Sequence, residues 1–373
     1  MRHPLALGFR LIWVVALLFF LGHPASADHA SVTRPGVADG LPYPDGLPRP
    51  DGPGRPDGQQ RDEGPQYAEA PRCDEGPRCA VRSPSVWLLS TRHLSGNPCV
   101  AELDSPSIRV HRLGECRQLC RESMEMFLGS RDPSRPCVIY VHGNRMDPSE
   151  ALRRGLLVRQ QVLRRGGCGE EVDWVIWSWP SEKRGILAAD ARHKAWRTNV
   201  EGLYLGWLLG RIAESGQPTS LVGYSFGARI LSGSLHALAG GSLGGRSLPQ
   251  PPLEGVPFRV GMIAPALESD WLSARGYHRL ATKNLESLTL LYNRRDAVLR
   301  NYWRIDRIRN ADALGYTGPT SFAPRHNGSG LPVRSRDCGA VVGFHHDELS
   351  YYEPQCDAGR EIAVLIRTEP SEP

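Results

Sequence analysis

Apolar and polar residues follow two textures along the chain, and the change falls near residue 73. Beyond it, short unbroken apolar runs recur at 86–90, 108–113, 138–141, 172–177, 221–224, 258–263 and 288–292, and each predicts a strand. Between them lie stretches with helical spacing at 116–128, 149–163, 188–213 and 228–239. The longest carries Trp196, Val200, Leu203, Leu208 and Ile212 at steps near three and four, the stripe of one helix face. Alternating strands and helices predict an α/β fold, a doubly wound, mostly parallel sheet with helices on both faces. Burial on both sides explains why these strands read as continuous apolar runs and not as alternating ones.

Upstream of residue 73 the pattern is different. Residues 28–72 have almost no aliphatic clusters and repeat one phrase, Pro44-Asp45-Gly46, Pro50-Asp51-Gly52 and Pro56-Asp57-Gly58. This is turn chemistry without a core, and it predicts a disordered, solvated linker. A calcium-binding Asp repeat would carry an apolar residue in each unit to build a core, and this one does not. Residues 1–27 read as a signal peptide: Arg2 and Arg10, an apolar run at 11–21, then Pro24-Ala25-Ser26-Ala27. The run is shorter than the ~20 residues of a membrane span. Cleavage after Ala27 is expected, which implies a secreted, periplasmic or cell-surface protein with a folded domain over 73–373. The linker would then allow association with an envelope or surface.

Composition sharpens this picture. The 373 residues include 40 Gly and 31 Pro, and hydrophobic residues are only 40%, so part of the chain lies outside any core. The net charge of +5 comes from Arg interspersed with Asp and Glu, without the basic blocks that a nucleic-acid partner requires. Nine Cys fit an oxidising compartment, and the absence of a C-x-x-C pair gives a zinc ribbon no support.

Gly223-Tyr224-Ser225-Phe226-Gly227 matches G-x-S-x-G. The motif puts a serine on a tight strand-to-helix turn, where bulky neighbours would clash. Gly240-Gly241-Ser242-Leu243-Gly244 matches too, but it follows the end of a helix and runs into a Pro-rich loop. Ser225 follows an apolar strand and precedes an amphipathic helix, so Ser225 is the candidate nucleophile. Tyr140-Val141-His142-Gly143-Asn144 ends another buried strand upstream, and in a doubly wound sheet that loop lies beside the elbow. The backbone N–H groups of Asn144 and Phe226 are the candidate oxyanion hole, with His142 shaping the loop. Arg145 and Arg229 flank these segments and are read as structural.

These segments, with Trp177-Ser178-Trp179-Pro180, resemble the α/β-hydrolase superfamily. The chain looks similar to poorly characterised bacterial hydrolases with a W-P-S strand end and a G-Y-S-F-G-A-R elbow. The resemblance covers roughly residues 84–368 by element order. It implies the chain order serine, acid, histidine. Asp296, on the turn after the 288–292 strand, is then the acid, and it also suits the N-cap of a helix over 297–303. Asp306 and Asp312 are fallbacks. The base is drawn from His345 and His346, between an apolar 341–344 strand and a helix capped at Asp347. His346 is favoured and His345 stands close behind; His326 lies in a loop with no strand before it. A His-His-Asp metal site competes, but lacks a third ligand at suitable spacing. Cys338 and Cys356 flank this segment, and a bond between them would tether it. The irregular stretches 240–252 and 302–332 are candidate lids.

The resemblance implies a serine esterase or lipase-like hydrolase, acting on a small-molecule or lipid ester through an acyl-enzyme and needing no metal or organic cofactor. Acyl transfer to another acceptor, or a non-catalytic surface-binding protein on the same scaffold, are the alternatives.

Overall fold

A computed structural model of the protein describes residues 85–114, 118–166, 171–183, 187–304 and 311–367. All lie within one compact unit, Pro65–Pro373; the other unit, Met1–Gly64, falls outside the described residues. So do the expected leader, the linker, the boundary at residue 73, and Cys73, Cys79, Cys116, Cys168 and Asp306.

The strands are β1 (Val86–Ser90), β2 (Arg109–Leu113), β3 (Leu119–Glu122), β4 (Cys137–Val141), β5 (Asp173–Ser178), β6 (Thr219–Tyr224), β7 (Phe258–Ile263), β8 (Leu285–Tyr292) and β9 (Val333–Asp337). Among the described residues they form one sheet in the order β3-β2-β1-β5-β4-β6-β7-β8-β9. At one edge β1–β2 and β2–β3 pair antiparallel, and the other pairings, from β1–β5 across to β8–β9, are parallel. The helices are α1 (Met124–Gly129), α2 (Pro148–Gly166), α3 (Leu187–Ala213), α4 (Phe226–Leu238), α5 (Leu314–Thr317), α6 (Gly339–Val342) and α7 (Ala358–Ile366).

Side chains on adjacent strand positions point to opposite faces, and glycines show what covers each face. Gly261, level with Val222, meets Leu365 and Ile362 of α7, while Gly223, one residue beyond Val222, meets Ala228 and Leu231 of α4. Helix α2 packs with α7 and α3 packs with α4, so both faces are covered. Strands β4, β5 and β6 are buried at every position. The α3–α4 approach is close: a Cβ on Gly206 would lie 3.0 Å from the Ser234 carbonyl oxygen. Among the described residues no helix is long and apolar enough to cross a membrane.

Three local expectations change. The helix expected over 116–128 is a strand and a short helix: β3 pairs with β2, and Ser123 Oγ then caps α1 by accepting the Met126 N–H (3.1 Å). The apolar 341–344 segment is not a strand; α6 and a turn at Gly343 (φ 66°) occupy it. The strand that completes this edge is β9, whose Val-Arg-Ser-Arg-Asp sequence is largely exposed and carries no apolar signal. The helix expected over 297–303 is a 3-10 segment, Leu299–Arg304.

Candidate active site

The candidate site lies at the carboxyl ends of β4, β6, β8 and β9, where open α/β sheets bind ligands. Its centre is the turn from β6 into α4. Ser225 has φ 54° and ψ −119°, a region costly for any residue with a Cβ. The glycines at either side make the turn possible. A Cβ on Gly223 would lie 2.7 Å from the Ala228 nitrogen, and one on Gly227 would lie 2.0 Å from the Val141 carbonyl oxygen. The elbow is therefore pressed against the end of β4, and the Ser225 N–H is tied to the Ile263 carbonyl of β7 (2.9 Å).

Ser225 Oγ lies 2.8 Å from His346 Nε2, and His346 Nδ1 lies 2.6 Å from Asp296 Oδ2. Asp296 is fully buried. Its Oδ1 accepts the Val298 and Leu299 N–H groups (2.8 and 2.9 Å), so this carboxylate caps the 3-10 segment and faces the imidazole at once. Because Oδ2 accepts, Nδ1 carries the hydrogen and Nε2 presents its lone pair to the serine. Tyr224 stacks on the imidazole (centroids 5.2 Å).

His345 is exposed and its side chain makes no hydrogen bond among the described residues; of the two adjacent histidines, His346 is the one brought to Ser225. His326 lies against Gly255, and Asp312 is exposed, its carbonyl accepting the Ser269 N–H. Ser242 is exposed beyond the end of α4. Among the described residues no group of three or more His, Cys, Asp or Glu could hold a metal ion.

The Asn144 loop lies against the elbow: a Cβ on Gly143 would stand 3.3 Å from Ser225 Cβ. The Asn144 and Phe226 N–H groups donate to no acceptor among the described residues. Asn144 Oδ1 accepts the Arg145 N–H (2.9 Å), which fits Arg145 into its positive φ of 65°. His142 is fully buried. Its Nδ1–H donates to the Gly143 carbonyl (2.8 Å), and its Nε2 accepts the Trp179 N–H (3.3 Å). Burial, with Arg92 nearby, lowers its pKa to about 3, so it is a neutral brace and no proton carrier.

Sequence reasoning missed a second buried group. The Tyr140 hydroxyl donates to both Glu348 carboxylate oxygens (3.0 and 2.9 Å), and Arg154 Nη1 donates to Glu348 Oε2 (3.2 Å). The sequence offered little signal, since Glu348 stands in a polar segment beside Asp347, Ser350 and Glu353. Arg229, read as structural, is buried between Thr198 Oγ1 (2.9 Å), the Tyr302 hydroxyl (2.6 Å) and the Trp271 ring (4.3 Å). Cys338 and Cys356, which would tether the base segment if bonded, are two free buried thiols. They share a hydrogen bond that raises the first thiol's pKa and lowers the second's. The 240–252 stretch, a candidate lid, buries Leu243 and is fastened by Arg246, whose Nη1 donates to the Pro98 and Cys99 carbonyls (3.2 and 2.9 Å). The 302–332 candidate lid is described only in part; there Ala323 N–H donates to the Leu272 carbonyl (2.8 Å) and Thr282 Oγ1 to that of Pro324 (3.2 Å).

This strand order, with a G-x-S-x-G elbow at the end of the interior strand β6, is the α/β-hydrolase fold. No family model and no curated protein matches the chain. Among solved structures it is similar to esterase B from Lactobacillus rhamnosis, at 15% identity and TM-score 0.34 over 76% of this chain and 87% of that one. It is also similar to carboxyl esterase 2 from the fungus Tuber melanosporum, at 12% identity and TM-score 0.30 over 70% and 82% of the two chains. The Francisella virulence factor BioJ is similar at 9% identity and TM-score 0.30, over 69% and 80%.

Proposed function

We propose that the protein is an exported serine hydrolase that cleaves carboxylic esters through an acyl-enzyme. One observation carries this reading: a hydroxyl, an imidazole and a buried carboxylate in line, at 2.8 and 2.6 Å, at the sheet edge where ligands bind. Ser225 Oγ attacks the ester carbonyl carbon while its proton passes to His346 Nε2. The negative charge that develops on the carbonyl oxygen is taken up by the N–H groups of Asn144 and Phe226, each such donor contributing roughly 3 kcal/mol to the transition state. The alcohol leaves with the proton from Nε2, and the acyl group stays on Oγ. Water then attacks, His346 takes its proton, and the acid departs as Ser225 regains its hydrogen. Asp296 holds the tautomer and stabilises the imidazolium in both halves.

The test is labelling with a fluorophosphonate and hydrolysis of p-nitrophenyl esters of several chain lengths, in wild type and Ser225→Ala. Labelling and turnover lost in S225A support the enzyme. Neither activity in the wild type refutes it and favours a binding protein on this scaffold. Export is tested separately by N-terminal sequencing of protein recovered outside the cytoplasm: a chain beginning at Asp28 is expected, and an uncut chain overturns the proposal.

A further inference from the structure

The segment after β9 has to hold His346 against a serine on one strand and a carboxylate on another, yet it contains no strand of its own. Upstream it is fixed by two bonds, Ala297 N–H to the Phe344 carbonyl (3.1 Å) and Asn293 Nδ2 to the Gly343 carbonyl (2.9 Å). Downstream, the next inward side chain is Glu348, fully buried and two residues past the imidazole. Its carboxylate is held by Tyr140 and Arg154. Tyr140 is on β4, two residues before His142, and Arg154 is on α2. Glu348 thus joins the base segment to the strand that ends in the Asn144 loop.

We propose that Glu348 is a positioning residue, whose bonds to Tyr140 and Arg154 set the His346 imidazole and the Asn144 loop relative to each other. The inference rests on the hydrolase reading above for its kinetic consequence, but not for its geometric one. Burial pushes the Glu348 carboxyl up to about 7, against the pull of Arg154 and the Tyr140 hydroxyl, with Asp347 adding a push upward. Tyr224 and Tyr352 also face this carboxyl, and burial raises both phenols, so they stay protonated. As pH rises through about 7 the carboxylate forms and grips Arg154 and Tyr140 more strongly. The rising limb of activity therefore carries the ionisation of Glu348 as well as that of the base.

The experiment follows the low-field proton resonance of the Nδ1–H between His346 and Asp296, assigned by its loss in His346→Ala, together with p-nitrophenyl butyrate kinetics. Glu348→Leu alone leaves the Arg154 guanidinium without its carboxylate, so E348L/R154L is made beside it to remove both charges together. In the folded double variant the resonance is expected to broaden or vanish, and kcat to fall about ten- to a hundred-fold, the scale of an ångström-level misplacement. KM should stay nearly constant. Glu348→Gln keeps an acceptor for Tyr140 but is neutral at every pH, like the protonated acid; its kcat should lie between those of wild type and the double variant, and its pH limb should lose one ionisation. An unchanged resonance in the folded double variant overturns the inference whatever the kinetics, and so does an unchanged kcat. A wild type that shows the resonance but cleaves no ester defeats the hydrolase reading alone, and the resonance comparison then decides this one.

Discussion

Replacing Asp296 by Asn tests whether one carboxylate performs two duties. Oδ1 accepts two backbone N–H groups, from Val298 and Leu299, and Oδ2 accepts the imidazole Nδ1–H at 2.6 Å. An amide has a single acceptor oxygen, so it must fail one side. If the oxygen stays with the two N–H groups, the amide NH2 faces Nδ1. The imidazole must then carry its hydrogen on Nε2, where it points at Ser225 Oγ and cannot take that proton. If the amide turns over, two buried N–H donors lose their acceptor, at about 1–3 kcal/mol each. A total near 3 kcal/mol leaves the productive orientation populated at about one per cent, since ~1.4 kcal/mol is a factor of ten. Losing the charge that stabilised the imidazolium removes roughly 2 kcal/mol more. Asp296→Asn should therefore lower kcat by about a thousand- to ten-thousand-fold with KM little changed. The folded state should survive, because the favoured amide orientation keeps the cap. The assay is steady-state ester hydrolysis, with thermal melting as the control for folding. A folded D296N retaining more than about a tenth of wild-type kcat would refute the paired-role argument.

Other expectations test different parts of the molecule. His345→Ala should leave ester hydrolysis within about twofold of wild type while His346→Ala abolishes it; the reverse result would move the base to the exposed ring. Gly227→Ala sets a Cβ against the Val141 carbonyl, backbone upon backbone, so urea denaturation should register a loss of about 2 kcal/mol or more, and an unchanged midpoint would contradict the close approach. Burial lowers the pKa of His142 to about 3 and of His236 to about 4, so the unfolded chain takes up protons first and stability is lost as pH falls below 6.5. These two rings together lose on the order of 5 kcal/mol by pH ~4.5, and Glu348, shifted the other way, returns about 3 over the same window. Urea midpoints should consequently fall on acidification, more steeply in E348Q; midpoints flat from neutral to acid pH would refute the burial argument. Incubation with oxidised glutathione should convert the adjacent Cys338 and Cys356 thiols to a disulfide by exchange, read as a mass loss of two hydrogens in the peptide pair and a raised melting temperature, whereas both thiols remaining open to alkylation after unfolding would exclude the bond.

What could be read from the chain depended on burial. Strands β4, β5 and β6 are covered on both faces, so only apolar residues are tolerated and the runs announce themselves. Strand β9 lies at the sheet edge, and Arg334, Ser335, Arg336 and Asp337 all meet water there. An edge of this kind is protected by charge against pairing with another chain, which erases the apolar signal that would have revealed it. The 341–344 segment has the apolar letters of a strand, but they serve a short helix that buries Val342 and leaves Phe344 exposed.

The site follows the same logic, with one difference. Ser225 is legible because its strained backbone admits only small neighbours, so local sterics write G-x-S-x-G into the chain. The partners of Ser225 need no local signature, since Asp296 and His346 reach it through tertiary placement; they could be narrowed only by what the resemblance implied about their order. Glu348 left still less trace. A single buried acid requires partners, but those partners, Tyr140 and Arg154, are about two hundred residues away in sequence, one inside an apolar strand and the other in an Arg-rich helix. Pairing across that distance is a property of the sheet order, which sets β4 and α2 beneath the segment carrying the base. Residues that do the proposed chemistry were therefore partly visible in the letters, whereas the residue that aims them becomes visible only when the fold closes around it.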